Sequence, residues 1–161
     1  MLRKATIHDI PYIQALINAF AKKDLMLPRS LNELYEGIRD FWIYEEKKRV
    51  IGCCALHVSW EYLAEIKSLA VRPERHRKGI GRELVQACLA EAKELGARKV
   101  FALTYRPEFF KKQGFKQVKH SDLPHKVWAE CINCPKFPAC EEISLLTTYR
   151  LLMTAILHLS L

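Results

Sequence analysis

Residues 64–82 read AEIKSLAVRPERHRKGIGR, and this stretch predicts the centre of the fold. Its first part carries Ile66, Leu69 and Val71 with the period-two character of a β-strand. After Pro73, a basic turn with two glycines opens into a helical pattern. Such glycines let the backbone approach a ligand, and a helix N-terminus favours anions. The stretch predicts a phosphate-binding turn, although an ordinary basic strand-to-helix turn fits the same pattern.

The flanking residues favour the phosphate-binding interpretation. The sequence E-I-K-S-L-A-V-R-P-E-R-H-R-K-G-I-G-R-E-L-V resembles the acetyl-CoA-binding segment of the GNAT superfamily of N-acetyltransferases. That family has Gln/Arg-x-x-Gly-x-Gly/Ala after a strand and a turn, and here a histidine stands at the first position. The resemblance implies that the strand end and the turn bind acetyl-CoA through Leu69, Ala70, Val71, His76, Arg77, Lys78, Gly79, Ile80, Gly81 and Arg82.

Composition predicts one globular domain. The chain has 161 residues, of which 50% are hydrophobic and 27% charged, enough to bury a real core. A net charge of +8 fits nucleic acid, an anionic membrane or a polyanionic small molecule. The basic residues are densest between Arg72 and Arg82, which favours a local phosphate site. Six cysteines without an N-terminal secretory pattern predict a cytoplasmic protein.

The chain order predicts alternating helices and strands around the central segment. Before the central strand we expect a strand at 2–6, a helix from Asp9 to 22–23, a helix capped by Ser30 and Glu33 with apolar residues through Phe41, and strands at 41–45 and 50–59. After it we expect a helix from 79 to 96, a strand at 98–104, a short helix from Pro107, and a strand at 115–118. This order is that of the GNAT fold, an α/β (α+β) fold with a mixed, mainly antiparallel twisted sheet flanked by helices. We expect a single domain, with a core of about 1–120 and a Cys-rich C-terminal extension of about 121–161.

Acetyl transfer to an amine needs a group that removes a proton from the ammonium and donors that hold the developing oxyanion. Glu65, near the end of the central strand, can be that base, although a solvated strand-end glutamate is the ordinary alternative. If a bulge splays the strand at 69–71, its N–H groups can hold the thioester carbonyl. Arg29 and Arg106 lie at element boundaries and can bind carboxylates, as can any surface arginine.

Several segments resemble a narrower group, the acetyltransferase domain of bacterial N-acetylglutamate synthases, especially the short stand-alone form. They are M-L-P-R-S-L-N-E-L-Y-E, L-A-E-I-K-S-L-A-V, R-K-V-F-A-L-T-Y-R-P-E-F-F-K-K-Q-G-F and D-L-P-H-K-V-W. This resemblance implies acetylation of the α-amine of L-glutamate, the first step of arginine biosynthesis. By position, Arg29 would bind a substrate carboxylate, Glu65 would be the base, and Thr104 would supply a hydroxyl near the leaving thiolate.

The C-terminal part contains an unusual cysteine pattern. Cys131, Cys134 and Cys140, with His125 as a fourth ligand, fit a structural metal site, and reduced thiols in a compact, proline-braced loop are the alternative. The apolar tail from Ile143 to Leu161 is short for a membrane span. It predicts a final strand and a terminal helix that packs or oligomerises.

Two other functions remain open at the level of sequence. One is a GNAT enzyme that acetylates another amino acid, a polyamine or a protein N-terminus. The other is a module without turnover, which senses acyl-CoA or uses a metal-stabilised surface to bind nucleic acid. We expect a small amino acid as the partner, a possible homodimer, and neither nucleic acid nor membrane.

Overall fold

The computed structural model describes residues 1–124 and 131–149. Its strands are β1 (Leu2–Lys4), β2 (Phe41–Glu46), β3 (Arg49–Trp60), β4 (Leu63–Val71), β5 (Lys99–Thr104), β6 (Lys116–Gln117) and β7 (Ile143–Thr148). Its α-helices are α1 (Ile10–Ala21), α2 (Leu31–Glu36), α3 (Ile80–Glu94) and α4 (Pro107–Lys111). Single turns of 3-10 helix occur at Ile7–Asp9, Ile38–Asp40, Pro73–Arg75 and His120–Asp122.

The strands form one sheet of seven, in the order β1-β2-β3-β4-β5-β7-β6. All neighbouring pairs are antiparallel except β4 and β5, which are parallel and joined through α3. The predicted mixed, mainly antiparallel sheet is confirmed, as are the meander that leads to β4 and the final strand from Ile143. Because β7 lies between β5 and β6, the sheet includes residues well beyond 120.

Helices cover both faces of the sheet. On one face α3 packs over an apolar cluster that includes Leu84 and Cys54, and on the other α1 and α2 cover a cluster that includes Ile13 and Cys53. Both strand cysteines are fully buried, as the sequence predicts for core residues. Burial raises the pKa of Cys53 to about 12, so its thiol is inert.

The start of α2 is as predicted, but its end is not. Ser30 and Glu33 form a capping box, in which the Glu33 N–H donates to Ser30 Oγ at 3.2 Å and the Ser30 N–H donates to Glu33 Oε2 at 2.7 Å. The helix ends at Glu36 because Gly37 follows, and a 3-10 turn then redirects the chain. Phe41 begins β2, as predicted for the strand at 41–45, whereas the predicted continuation of the helical face through Ile38 and Phe41 is wrong.

An ion-pair network fixes β1 against the start of α1. Arg3 Nη1 and Nη2 lie 2.8 and 2.9 Å from the two carboxylate oxygens of Asp9, and Arg3 Nε lies 3.1 Å from Glu45 Oε2. Asp9 is only 6% exposed. Burial alone would raise the pKa of Asp9, but the hydrogen bonds from Arg3 and Thr6 hold it below its ordinary value. The network therefore stabilises the fold at neutral pH, and its contribution is lost as the pH falls through this lowered pKa.

Arg3→Ala should lower the free energy of unfolding by about 2 kcal/mol at pH 7, because it leaves the buried Asp9 carboxylate with fewer partners. The difference from wild type should shrink below about pH 4, where the carboxyl becomes protonated. Urea denaturation at pH 7 and below about pH 4 measures the free energy of unfolding of wild type and variant. Lys93→Ala, which removes an exposed cation from α3, is the charge-matched control. Equal stabilities of the two variants would contradict a stabilising role for this network.

Candidate active site

The sheet opens between β4 and β5. These strands are paired only where Leu63–Glu65 face Lys99–Phe101. Beyond that point β5 continues its pairing with β7, while β4 continues with β3. We call the opening between residues 66–71 of β4 and 102–104 of β5 the splayed cleft. Within the described residues, backbone groups on this side of β4 have no neighbouring strand to pair with beyond Glu65.

A β-bulge in β4 accompanies the opening. Lys67 pairs with Ala55 and Ala70 with Cys53, so β4 has one more residue than β3 between these pairs. Ser68, with φ of 55°, lies at the bulge. The Arg72 N–H donates to the Ile51 carbonyl on β3 at 2.8 Å. Because N–H directions alternate along a strand, the N–H of Val71 points toward the splayed cleft.

The turn before α3 has the backbone that the glycine pattern predicts. Arg77 and Gly79 both have positive φ, of 60° and 82°. A Cβ at Gly79 would meet no heavy atom within 4 Å, so open space lies beside it. The first N–H groups of α3 point out of the helix and lack partners within it. Arg77, Lys78 and Arg82 are exposed at this helix start and outnumber the one acidic residue of the first turn, Glu83, so the helix start is suited to an anion.

The other basic residues of the stretch brace the turn. Arg72 Nε donates to the Val50 carbonyl at 2.9 Å, and Arg75 Nε lies 2.8 Å from Glu46 Oε2. His76 Nε2 donates to the Val71 carbonyl at 2.7 Å. Its ring also stacks on Phe20, with centroids 6.3 Å apart. His76 thus ties the turn to the end of β4 through its side chain.

Glu65 lies where the two strands part. It is 9% exposed, and its parallel neighbour Phe101 belongs to a small apolar cluster with Leu63. Its antiparallel partner on β3 is His57, so the two side chains extend from the same face of the sheet. His57 Nδ1 lies 2.7 Å from Asp40 Oδ2. No local sequence pattern indicates this second ionisable pair, because the pair depends on strand register.

Thr104 and Arg106 follow at the end of β5. The Arg106 N–H donates to Thr104 Oγ1 at 2.9 Å, which leaves the hydroxyl hydrogen available to a ligand. Arg106 is exposed at the start of α4, and Phe109 of that helix lies against Gly81. Arg106 therefore lies on the side of the α3 turn, and no described contact brings it together with Arg29.

Arg29 lies on the α1 side of the sheet, with its backbone held in place. Its N–H donates to Asn18 Oδ1 at 3.1 Å, and its carbonyl accepts from Gln14 Nε2 at 3.2 Å. The side chain is 25% exposed, and its nearest acidic contact is a long one, 3.5 Å from Nη1 to Glu33 Oε1. The guanidinium can therefore exchange this weak pairing for a ligand carboxylate.

Glu142, just before β7, also belongs to this region. Burial raises the pKa of its carboxyl above the ordinary value, and a hydrogen bond with Cys140 acts in the opposite direction. Electrostatic interactions with Lys136, His120 and Arg29 also lower the pKa of Glu142. Glu142 is therefore within electrostatic reach of Arg29. Nothing in the sequence indicated this, because 113 residues separate the two positions.

The three C-terminal cysteines are half-buried and free. Burial raises the pKa of Cys131 above its ordinary value, and Cys140 and Cys134 raise it further. The negative charge of Glu65 adds to this rise in the pKa of Cys131. Within residues 1–124 and 131–149, no group of three or more His, Cys, Asp or Glu side chains is arranged to hold a metal ion. The described residues thus do not support the predicted metal site, and His125 lies outside them.

Two predictions about the tail also fall outside the described part of the chain, namely the terminal helix and its packing or oligomerisation. The final strand is present as β7. Where the chain is described, none of its helices has the length and apolar character needed to cross a bilayer.

Comparison with known proteins identifies the fold and the family. The model of the acetyltransferase (GNAT) family matches residues 10–115. An uncharacterized N-acetyltransferase of Chlorobaculum tepidum is 42% identical over 147 residues, which cover 91% of this chain and 95% of that protein. An amino-acid acetyltransferase of Mycobacterium tuberculosis is 36% identical over 133 residues, 81% of this chain and 76% of that one.

Solved structures agree with this assignment. A Mycobacterium tuberculosis protein in complex with CoA superposes with a TM-score of 0.81 at 30% identity, covering 93% of this chain and 99% of that one. The N-acetylglutamate synthase of Neisseria gonorrhoeae, complexed with coenzyme A and N-acetyl-glutamate, gives 0.85 at 29% identity. That alignment covers 93% of this chain and 35% of the synthase. The strand, bulge, glycine turn and helix seen here lie within the matched family region, and the chain belongs to the acetyltransferase (GNAT) family.

Proposed function

We propose that this protein transfers the acetyl group of acetyl-CoA to the α-amine of L-glutamate, the first step of arginine biosynthesis. The observation that carries the proposal is the position of Glu65, a buried carboxylate where β4 and β5 part, at the inner end of the cleft that begins beside the α3 turn. Relatives named amino-acid acetyltransferase and a structural neighbour that is an N-acetylglutamate synthase support the choice of acceptor.

In the proposed reaction, the pyrophosphate of acetyl-CoA binds at the α3 turn and its pantetheine arm runs along the open side of β4. Glu65 removes a proton from the α-ammonium of the acceptor, and the free amine attacks the thioester carbonyl carbon. The carbonyl oxygen becomes an oxyanion, which backbone N–H groups near Val71 stabilise. The C–S bond then breaks, and the Thr104 hydroxyl donates a hydrogen bond to the leaving thiolate. Loss of the second amine proton leaves the amide product.

Arg29 is the proposed carboxylate-binding residue. Its backbone is fixed by α1, and its guanidinium has only a long contact with Glu33, so a ligand carboxylate can replace that partner. A guanidinium binds a carboxylate through two parallel hydrogen bonds, which an ammonium cannot reproduce. Arg29 would therefore favour amino acids over amines without a carboxylate.

Arg29→Lys should raise the KM for glutamate by about tenfold, equivalent to about 1.4 kcal/mol, because it removes the second hydrogen bond. Arg29→Ala should raise it further. The KM for acetyl-CoA should not change, since the α3 turn is untouched. Arg49→Lys, at an exposed position of β3, is the matched control. A wild-type KM for glutamate in both Arg29 variants would contradict the assignment of Arg29 as the carboxylate-binding residue.

The acceptor itself is tested by an amine panel with acetyl-CoA, following thiol release. We expect glutamate to have the highest kcat/KM among amino acids, polyamines and peptide N-termini. A preference for an amine without a carboxylate would remove the glutamate assignment and leave a GNAT enzyme with another acceptor. Binding of acetyl-CoA without turnover of any amine would favour an acyl-CoA sensor.

A further inference from the structure

A histidine on the neighbouring strand lies beside the candidate base. His57 on β3 and Glu65 on β4 are register partners, so their side chains extend from the same face of the sheet. Residues directly opposite in an antiparallel pair have Cβ atoms about 4.5–5.5 Å apart. At that separation an imidazole and a carboxyl can exchange a proton directly or through one water molecule. His57 is therefore within reach of the proton that Glu65 would take from the acceptor.

Asp40 determines which nitrogen of His57 can receive that proton. It ends the 3-10 turn Ile38–Asp40 just before β2, and its Oδ2 lies 2.7 Å from His57 Nδ1. Because a carboxylate only accepts hydrogen bonds, Nδ1 carries the hydrogen, and the lone pair of the neutral imidazole is on Nε2. The Asp40 carboxylate also stabilises the imidazolium that forms when Nε2 takes a proton.

The difference in exposure gives the proton a direction. Glu65 is 9% exposed, whereas the side chains of His57 and Asp40 are 40% and 29% exposed. Imidazole as a class is a stronger base than a carboxylate by about two pKa units, and it exchanges protons with water near neutral pH. Lys67, opposite Ala55 on the same face, adds a positive charge to this region, and Asp40 offsets it. The pair thus connects a buried base to solvent.

We propose that His57, held in place by Asp40, receives the acceptor's proton from Glu65 and passes it to solvent. This inference rests on the proposed acetyl transfer to an amine. The ammonium loses a proton to the Glu65 carboxylate, the carboxylic acid so formed gives it to His57 Nε2, and the imidazolium releases it to water. The carboxylate and the neutral imidazole are thereby restored without a further reactant. His57 acts only through Glu65, and Asp40 is the positioning residue that orients the ring.

His57→Gln should lower kcat by about 10–100-fold at pH 7, because glutamine can still donate to Asp40 but cannot carry a proton. The KM values for acetyl-CoA and for the best acceptor in the amine panel should stay within about twofold of wild type. Asp40→Asn should have a smaller effect of the same kind, since asparagine cannot stabilise the imidazolium. His8→Gln, which replaces an exposed histidine in the turn Ile7–Asp9, is the matched control and should keep the wild-type kcat.

Two further measurements separate proton transfer from a structural role. In His57→Ala, added imidazole should raise kcat in proportion to its concentration, whereas wild type should not respond. In a Glu65→Gln background, His57→Gln should cause no further loss of kcat, because the group on which His57 acts is already gone.

The outcomes distinguish this inference from the proposed function. A wild-type kcat in His57→Gln would overturn the role of His57 and leave Glu65 as the base. So would a loss of kcat that imidazole does not restore, or one that persists in full in the Glu65→Gln background. If Glu65→Gln itself keeps the wild-type kcat, or if wild type acetylates no amine, the proposed function fails together with this inference.

Discussion

Replacing Glu65 by glutamine should lower kcat by roughly 10²–10⁴-fold at neutral pH, the usual loss when a general base is removed. Glutamine keeps the shape of the side chain at this 9% exposed position but cannot take a proton from the acceptor ammonium. The affinity for acetyl-CoA should stay nearly unchanged, because the α3 turn and the open side of β4 are not altered. Steady-state kinetics with both substrates varied measures the two effects separately.

The pH dependence of kcat provides a second test of Glu65 as the base. The deficit of Glu65→Gln should shrink as the pH rises, because more of the acceptor is then already the free amine. Glu61→Gln, at an exposed position in the turn between β3 and β4, removes the same charge four residues away and should behave as wild type. Wild-type kcat in Glu65→Gln at neutral pH would exclude this residue as the base.

Gly79→Val and Gly81→Val should each abolish measurable binding of acetyl-CoA, for two different reasons. At Gly79, with φ of 82°, a valine strains the backbone and places its side chain in the open space beside the first N–H groups of α3. At Gly81, a Cβ would already be in contact with the Phe109 ring at 3.4 Å, so the two methyl groups of valine crowd that ring at the start of α3. Isothermal titration calorimetry with acetyl-CoA measures the loss.

Gly96 offers a matched control for the backbone strain. It follows α3 with φ of 85°, and a Cβ there would also meet no heavy atom within 4 Å. Gly96→Val should therefore have a similar stability cost to Gly79→Val but bind acetyl-CoA normally. Wild-type affinity in well-folded Gly79→Val and Gly81→Val proteins would exclude the α3 turn as the pyrophosphate site.

The parts that sequence predicted well depend on short-range signals. The capping box of α2 joins residues three apart, and the glycine turn lies between a strand pattern and a helix pattern that are themselves contiguous. The parallel crossover from β4 through α3 to β5 follows from the same local order. The bulge that thioester binding would require at 69–71 has its irregular residue close by, at Ser68.

The parts that were missed depend on contacts between distant segments. Lys136 reaches Asp24 across 112 residues, and the proximity of Glu142 to Arg29 spans a similar distance. His57 meets Asp40 only because β3 pairs in a particular register. The end of α2 was missed because the apolar spacing continues through Ile38 and Phe41, whereas the helix ends at Glu36, before Gly37.

The crossover that joins β4 to β5 through α3 also allows the acetyl-CoA site and the acceptor site to evolve separately. The groups proposed to hold acetyl-CoA lie in one uninterrupted stretch from Leu69 to Thr104, and Glu65 lies just before it, whereas Arg29, proposed to bind the acceptor carboxylate, lies between α1 and α2. Mutations around Arg29 can accumulate without disturbing the donor half. Descendants of one gene can thus acquire new acceptors while keeping the same donor.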